Sequence, residues 1–388
     1  MKTKGTICLF STQFFPHLGG VERYVYNMAK ELIKRGYKVY IITSSVDGEK
    51  DIDMYEDIHI IRLPSIGMMS GRMPVLKNNR KTKQLMNNLC KQEKIDFVVV
   101  NTRFYRLSIY GMKFAKKHQI PVITIEHGSA YLTFNNKFLD ISERVYEKFI
   151  THIGKKYCKD YYAVSEYSRK WLKEFHIDGK GVLYNSINPD DYHMSELTGE
   201  LKEKLSPIEN GVSIAYTGRL IPEKGVNVLI ESFEELRKKY ENIYLILIGE
   251  GPLESDILNA HDDHIIYLGR QSNKDVINIL NKVDVFCLPS RSEGFSTSVL
   301  EAALTKCCII TTKRGGSVEL ITDDRYGIII EDNRLHFVKE ALERVINDTN
   351  YRKTSANNAY KRVIESFTWK QCVDELENVM SRSSINEQ

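Results

Sequence analysis

The sequence predicts an α/β protein of two tandem domains, each a parallel sheet covered by helices. Three observations predict it. A chain of 388 residues exceeds what one typical core takes in. Short apolar runs alternate with amphipathic segments of helical period along its whole length. The runs are continuous rather than alternating, as expected when helices cover both faces of a parallel sheet.

In the first half, strands are expected at Thr6–Ser11, Lys38–Thr43, Ile58–Leu63, Asp96–Asn101, Pro121–Glu126 and Tyr161–Ser165. After the first comes a turn-rich loop, Phe14 to Gly20, and then a helix opening at Val21. Val21, Tyr24, Val25, Met28, Ala29, Leu32 and Ile33 line one face of that helix, and Gly36 ends it. In the second half, strands are expected at Ser213–Thr217, Ile243–Ile248, Ile265–Leu268, Val283–Pro289, Cys307–Thr311 and Gly327–Ile330. Val226, Leu229, Ile230, Phe233 and Leu236 mark an intervening helix, and Trp369–Met380 reads as an amphipathic helix at the end. The polar stretch Tyr192–Asn210 separates the halves, giving domains at 1–195 and 196–366.

At 42% hydrophobic and 27% charged residues the composition is that of a soluble globular protein, which excludes a disordered or fibrous chain. No stretch reaches the apolar length of a membrane span, and Lys2 and Lys4 precede only the short run Ile7–Phe10, so no secretory leader is expected. The seven cysteines are odd in number and lack metal-ligand spacing, which reads as core residues of a reducing compartment. Charge is uneven: residues 1–195 hold 31 Lys/Arg against 20 Asp/Glu (+11), and the remainder hold 24 against 31 (−7). Either this is ordinary surface variation or the first half faces something anionic, such as a membrane or a lipid phosphate. Lys77-Asn78-Asn79-Arg80-Lys81-Thr82-Lys83 is the candidate contact. No nucleic-acid recognition motif is present.

Four patches carry chemistry, each where an expected strand ends. Gly19-Gly20 precede a helix whose free N–H groups and partial positive charge suit an anion, although a bare tight turn has the same sequence. Gly218-Arg219-Leu220-Ile221-Pro222-Glu223-Lys224-Gly225 sets two cations where a diphosphate could be gripped, or is a solvated loop. Glu293-Gly294-Phe295-Ser296-Thr297-Ser298-Val299-Leu300-Glu301 places two carboxylates eight residues apart, entering a helix near Ser296. On a helix that is a little over two turns, so both could face one ligand, or both could be solvated. Glu126-His127-Gly128 puts an imidazole at a strand end, where it could bond a ligand or exchange a proton near neutrality. The pairs Asp190-Asp191, Asp262-Asp263 and Asp323-Asp324 sit in turn-like contexts and read as solvated loops rather than a metal signature.

Together these patches resemble glycosyltransferase family 4, the retaining enzymes of GT-B fold also called glycosyl transferases group 1. Pro16-His17-Leu18-Gly19-Gly20-Val21-Glu22-Arg23 is similar to the family's P-x-x-G-G-x-E entry loop. Gly218-Arg219 with Lys224-Gly225, Gly249-Glu250-Gly251-Pro252, Pro289-Ser290 through Glu301, and Gly315-Gly316-Ser317-Val318-Glu319 follow in the family's order and spacing. Tyr184-Asn185-Ser186 stands where the family often has P-N-G, which questions the geometry of that turn.

The resemblance implies two Rossmann-like domains with a cleft between them, and a last helix (about 367–388) crossing back to the first domain. It implies a nucleotide-diphosphate sugar as co-substrate, UDP-sugar favoured over GDP-sugar, with no resident cofactor and no metal. Arg219 and Lys224 would hold the diphosphate. Glu293, with the backbone of Gly294, Phe295, Ser296 and Thr297, would meet the transferred sugar. Glu301 would bind ribose, Arg270 would pass the base, and Gly251 would join the donor site. Gly19 and Gly20 would give the donor room, and His127 would lie near the reacting sugar. A glycan or lipid-linked acceptor, a role in surface polysaccharide assembly, and a cytoplasmic location, peripheral on the inner membrane face at most, complete the expectation. The rivals are a nucleotide-sugar 2-epimerase on the same scaffold and a non-catalytic binding subunit. The first would release product without an acceptor, and the second would lack part of the donor set.

Overall fold

A computed structural model describes residues 3–385 except 18, 46–47, 69–72, 132–136, 193–194, 198 and 259–261. Leu18 of the entry loop therefore lies outside the described residues. The chain divides into two compact units, Met1–Asn185 with Trp369–Gln388, and Ser186–Thr368. The first division falls ten residues earlier than the 195/196 boundary read from the sequence. Ile187 bridges Thr368, and the Ser195 N–H donates to Asn278 Oδ1 at 2.9 Å, which ties 186–195 to the second unit.

The first unit runs β1 (Thr6–Phe10), α1 (Gly20–Lys34), β2 (Lys38–Ser45), β3 (Ile52–Tyr55), β4 (Ile58–Met68), β5 (Met73–Leu76), α2 (Arg80–Gln92), β6 (Phe97–Asn101), α3 (Arg106–Lys117), β7 (Val122–Glu126), α4 (Lys137–Gly154), β8 (Asp160–Ala163), α5 (Glu166–Trp171) and β9 (Gly181–Val182). The strands form one sheet ordered β3-β4-β2-β1-β6-β7-β8-β9, with β5 paired to β4. Pairing is parallel except at the β3–β4 and β4–β5 hairpins. β3 and β5 escape the sequence reading for a physical reason. Both are four-residue edge strands; β3 is largely exposed, and β5 alternates over only four residues and contains Pro74, which argues against a strand.

The second unit runs α6 (Gly199–Leu205), β10 (Val212–Thr217), α7 (Val226–Arg237), β11 (Ile243–Ile248), α8 (Glu254–Leu258), β12 (Ile265–Gly269), α9 (Asn273–Leu280), β13 (Val285–Leu288), α10 (Thr297–Leu304), β14 (Cys308–Thr312), β15 (Ile328–Ile330), α11 (Leu335–Asn347) and α12 (Thr349–Ser366). Its sheet is wholly parallel, in the order β12-β11-β10-β13-β14-β15. The central strands are buried along their length because helices cover both faces. Six of the cysteines are buried in these cores and Cys90 is half-buried; all seven are free thiols.

The chain returns to the first unit as α13 (Trp369–Ile385). Trp369, 3% exposed, meets the Tyr24 ring edge-on at 5.0 Å. Arg35 at the end of α1 donates to Asp374 (2.7 Å), Glu377 (2.6 Å) and the Lys370 carbonyl (2.6 Å). At Tyr184-Asn185-Ser186 the turn needs no glycine, because Ser186 is not among the non-glycine residues of positive φ.

Candidate functional site

Each sheet reverses direction once, between β10 and β13 in the second unit and between β1 and β6 in the first. Loops leaving the carboxyl ends of strands diverge at such a point and leave room for a ligand. The two cations of the second patch leave β10, and Glu293 leaves β13, so they flank the same switch point of the second unit.

Glycines knit these loops together. A Cβ on Gly249 would collide with the Gly218 carbonyl, one on Gly251 with the Leu220 carbonyl, and one on Gly225 with the Pro289 carbonyl. One on Gly315 would stand 2.7 Å from the Glu293 Cβ. Gly225 and Gly249 also have φ of +74° and +140°, open to glycine at little cost. Gly251 thus lets backbone meet backbone. Hydrogen bonds follow the same seams: Leu220 N–H to Glu250 O (2.9 Å), Arg291 N–H to Glu223 O (2.9 Å), Glu293 N–H to Arg314 O (3.1 Å) and Gly316 N–H to Gly294 O (3.0 Å).

Within this frame the Lys224 ammonium donates to Glu293 Oε1, which also accepts from Ser290 Oγ at 3.0 Å. The pair is largely buried, with side chains 21% and 15% exposed. The Arg219 side chain is exposed, while its carbonyl accepts from the buried Tyr216 hydroxyl at 2.7 Å. Burial pushes that phenol well above its ordinary range, so it stays a donor. Arg291 and Arg314, which the sequence reading did not single out, have their backbones in the same seams and their side chains exposed. No motif marked them; only the register of the loops does.

The E-G-F segment departs from the helical reading. α10 starts at Thr297 with Ser296 as N-cap, so Glu293–Ser296 is loop and the carboxylates are not two helical turns apart. Glu301 is 7% exposed rather than solvated. Phe295 turns inward, 6% exposed and edge-on to Phe367 at 5.2 Å, which anchors the loop and does not present the ring to a ligand. Arg270 is exposed beyond β12 at the edge of the sheet.

In the first unit, Gly19 is the N-cap of α1 and Gly20 its first residue. Glu22 folds back over this end: a Cβ on Gly19 would stand 2.5 Å from Glu22 Oε2, and Glu22 is 7% exposed. A carboxylate at the third helical position caps the N-terminus, where the sequence alone suggested room for an anion. Burial raises the Glu22 pKa, with the backbone amides of Gly19 and Glu22 opposing.

His127 stands beyond β7, its Nε2 2.9 Å from Asn101 Oδ1. The Asn101 amide is oriented by its own donation to the Phe10 carbonyl at 3.2 Å. An amide oxygen only accepts, so Nε2 carries the hydrogen and Nδ1 is an acceptor. Burial holds the pKa at about 3, so the ring is neutral at pH 7. Of the two roles the sequence allows, bonding a ligand and exchanging a proton near neutrality, the lowered pKa and the Asn101 bond favour the first.

Beside it lies a cluster the sequence did not reveal. Arg103, 1% exposed, donates to Glu126 and, at 2.5 Å, to Glu147, and its guanidinium lies 3.5 Å from the Phe175 ring centre. Glu126 in turn accepts from Gly128 N–H at 2.7 Å, which orders the loop carrying His127. Thr102, a β-branched residue, sits at φ +64°, strained backbone at the end of β6.

A concavity lined by Glu93, Asp96, His118 and Pro121 lies at the amino ends of β6 and β7. Ligands of open α/β sheets bind at the other end, so it carries no weight here. Asp323 bonds Arg325 and Asp324 bonds Arg344, both at 2.9 Å, Asp262 bonds His264 at 3.2 Å, and Asp190-Asp191 lie in an exposed 3-10 turn. Among the described residues no three His, Cys, Asp or Glu cluster as metal ligands, and no helix is long and apolar enough to cross a membrane.

Residues 18–191 match the family model "Glycosyltransferase Family 4" and residues 198–362 match "Glycosyl transferases group 1". The chain is 26% identical, over 97% of its length and 98% of the other's, to an uncharacterised glycosyltransferase of Methanocaldococcus jannaschii. It is 24% identical, over 98% of its length and 76% of the other's, to one component of human phosphatidylinositol N-acetylglucosaminyltransferase. Among solved structures, Anabaena HepE in complex with UDP-glucose matches with a TM-score of 0.72 at 16% identity, covering 97% of this chain and 100% of that one, which speaks to fold alone. Two family models in tandem, with a similar chain fold, lead to one conclusion: the chain belongs to the family 4, group 1 glycosyltransferases of GT-B fold.

Proposed function

We propose that this glycosyltransferase moves a sugar from a UDP-sugar to a glycan or lipid-linked acceptor with retention of configuration, the second unit binding the donor. The observation that carries the reading is the Lys224–Glu293 pair, one partner from the loop after β10 and the other from the loop after β13. A cation that can meet a diphosphate then stands beside a carboxylate that can accept from sugar hydroxyls. Negative charge grows on the departing diphosphate in the transition state. Arg219 and Lys224, on a loop fixed by glycine contacts, answer it once the bound diphosphate has drawn Lys224 from Glu293. Glu301 takes the ribose hydroxyls, and backbone beyond β12 near Arg270 takes the base.

The first unit serves the acceptor. His127 is neutral and offers Nδ1 as an acceptor to a hydroxyl, a positioning role rather than that of a general acid. The human relative named for phosphatidylinositol and the Anabaena neighbour solved with UDP-glucose are consistent with a lipid acceptor and a uridine donor.

The test is a thermal-shift series with UDP-, GDP- and ADP-sugars. At about a hundredfold over Kd the matching nucleotide adds about 2.7 kcal/mol. Stabilisation by UDP-sugars that is lost in Arg219→Ala is expected; no response to any nucleotide sugar contradicts the reading. Conversion to an epimerised nucleotide sugar without acceptor would favour the isomerase.

A further inference from the structure

Among the described residues eleven large apolar side chains are strongly exposed, and five of them lie on α4. Phe138 is 86% exposed, Ile141 61%, Val145 63% and Phe149 64%. Their spacing of three and four residues puts them in one stripe along the helix. The inward face is the reverse of an ordinary one. Glu143, Glu147, Ile150, Thr151 and Gly154 are the buried residues, so the helix hides two glutamates and shows its aromatics.

This orientation is fixed by its partners. Glu147 bonds the buried Arg103, and Glu143 packs beside Glu147. At Gly154 a Cβ would stand 3.0 Å from Ile109 and 3.1 Å from Met112, so α4 meets α3 at closest approach there. Turning the apolar stripe inward would strip Arg103 of an acid and expel glycine from that contact, both costly. The outward stripe is built into the fold.

Charge identifies what covers it. Lys137, Arg144 and Lys148, spaced seven and four apart, run as one exposed row beside the stripe. Asp140 falls on the inward half with Glu143 and Glu147, so the outward half of the helix carries no acid. Lys148 pairs with Glu174 at 2.9 Å, and Arg144 lies over the Tyr131 ring at 5.2 Å, both from neighbouring segments. An apolar stripe with a basic flank is the pattern of a helix lying in a bilayer interface. A second copy of this face would set cations against cations with no acid on the outward half of the helix to answer them.

We propose that α4 lies in the plane of an anionic bilayer, with Phe138, Ile141, Val145 and Phe149 among the acyl chains and Lys137, Arg144 and Lys148 at the phosphates. The contact then differs from the Lys77–Lys83 run named from charge alone. There Leu85, Met86 and Leu89 of α2 are buried, so no apolar stripe accompanies the charge. The surface is independent of the donor chemistry, since every residue of it belongs to the first unit.

The test is co-sedimentation of the full chain with phosphatidylcholine vesicles, alone or with about one third phosphatidylglycerol. Binding to the anionic vesicles alone is expected, weakened by salt, and reduced at least about tenfold in the Ile141→Ser/Val145→Ser/Phe149→Ser variant. Lys81→Glu/Lys83→Glu should keep most of the binding. Thermal shift with UDP, unchanged in the triple variant, separates loss of the surface from loss of fold or donor site. As a second readout, Val145→Trp emission should move to the blue when anionic vesicles are added. Absence of wild-type binding at low salt, wild-type binding by the triple variant, loss confined to the lysine variant, or self-association abolished by the triple variant each overturns the proposal.

Discussion

Arg219 and Lys224 share a loop but are held differently. Lys224 is paired to Glu293, whereas Arg219 is anchored through its carbonyl and keeps its side chain exposed. Arg219→Ala should therefore leave melting unchanged and lower kcat by about 10²–10³, as for other deletions of a preplaced donor. Gly249→Ala acts on the frame instead. It introduces a collision with the Gly218 carbonyl at φ +140° and should cost roughly 2 kcal/mol or more, measurable by urea unfolding. His127 adds a pH dependence. Its pKa falls from 6.5 to about 3 on folding, so the unfolded chain binds the extra proton in that window. This group costs nothing above pH 6.5 and lowers stability as pH falls below it. A proton NMR titration should show no His127 inflection between about pH 5 and 8, and an inflection there would contradict the buried imidazole. The individual candidates Arg219, Lys224 and Glu293 were legible because their motifs are local in sequence. Asn101 and Arg103 were not, because each acts through a partner that only the fold brings near, while Glu22 was quoted in the entry loop without its place over Gly19.

At the scale of elements, α4 and α13 show two ways a helix is fixed. α13 is tied by Trp369 against Tyr24 and by Arg35 to Asp374 and Glu377, so Trp369→Ala should cost about 3–5 kcal/mol. α4 is fixed by its buried polar face, where Arg103 donates to Glu147. Burial, with Glu143 nearby, raises Glu147 from 4.5 to about 9 against the opposing pull of Arg103. The folded state then keeps a proton that the unfolded chain releases above pH 4.5. That contribution is present in full below 4.5 and lost as pH rises towards 9. Glu147→Gln should flatten the fall in melting temperature across this window, and an unchanged slope would place the proton elsewhere. The central strands, α1, α7 and α13 were readable from their apolar patterns, with ends within about two residues, except that β4 and α13 each run five residues past the expected Leu63 and Met380. The hairpin strands β3 and β5 were not, for both are only four residues long and pair at the edge, and β3 is largely exposed. The polarity of α4 was also hidden: the sequence reading named no helix there, and only the bond from Arg103 to Glu147 shows which side is inside.

For the whole molecule, sequence and structure agree on two α/β units, which length and the repeated alternation set, and on a last helix returned to the first, which the family resemblance implied. The sequence placed the unit boundary at the polar stretch, while the bridge from Ile187 to Thr368 draws that stretch onto the second unit. Charge divides the same way: the first unit carries the basic excess and the inverted helix, and the second carries the glycine-knit loops. On the proposed function, donor chemistry belongs to one unit, and acceptor and surface to the other. The core of that proposal is a pyrophosphate held where β10 and β13 part. The most direct measurement is a crystal structure of the chain with UDP. Both phosphates are expected within hydrogen-bonding distance of Arg219 and Lys224, with Lys224 drawn from Glu293; a pyrophosphate bound away from both residues would contradict it.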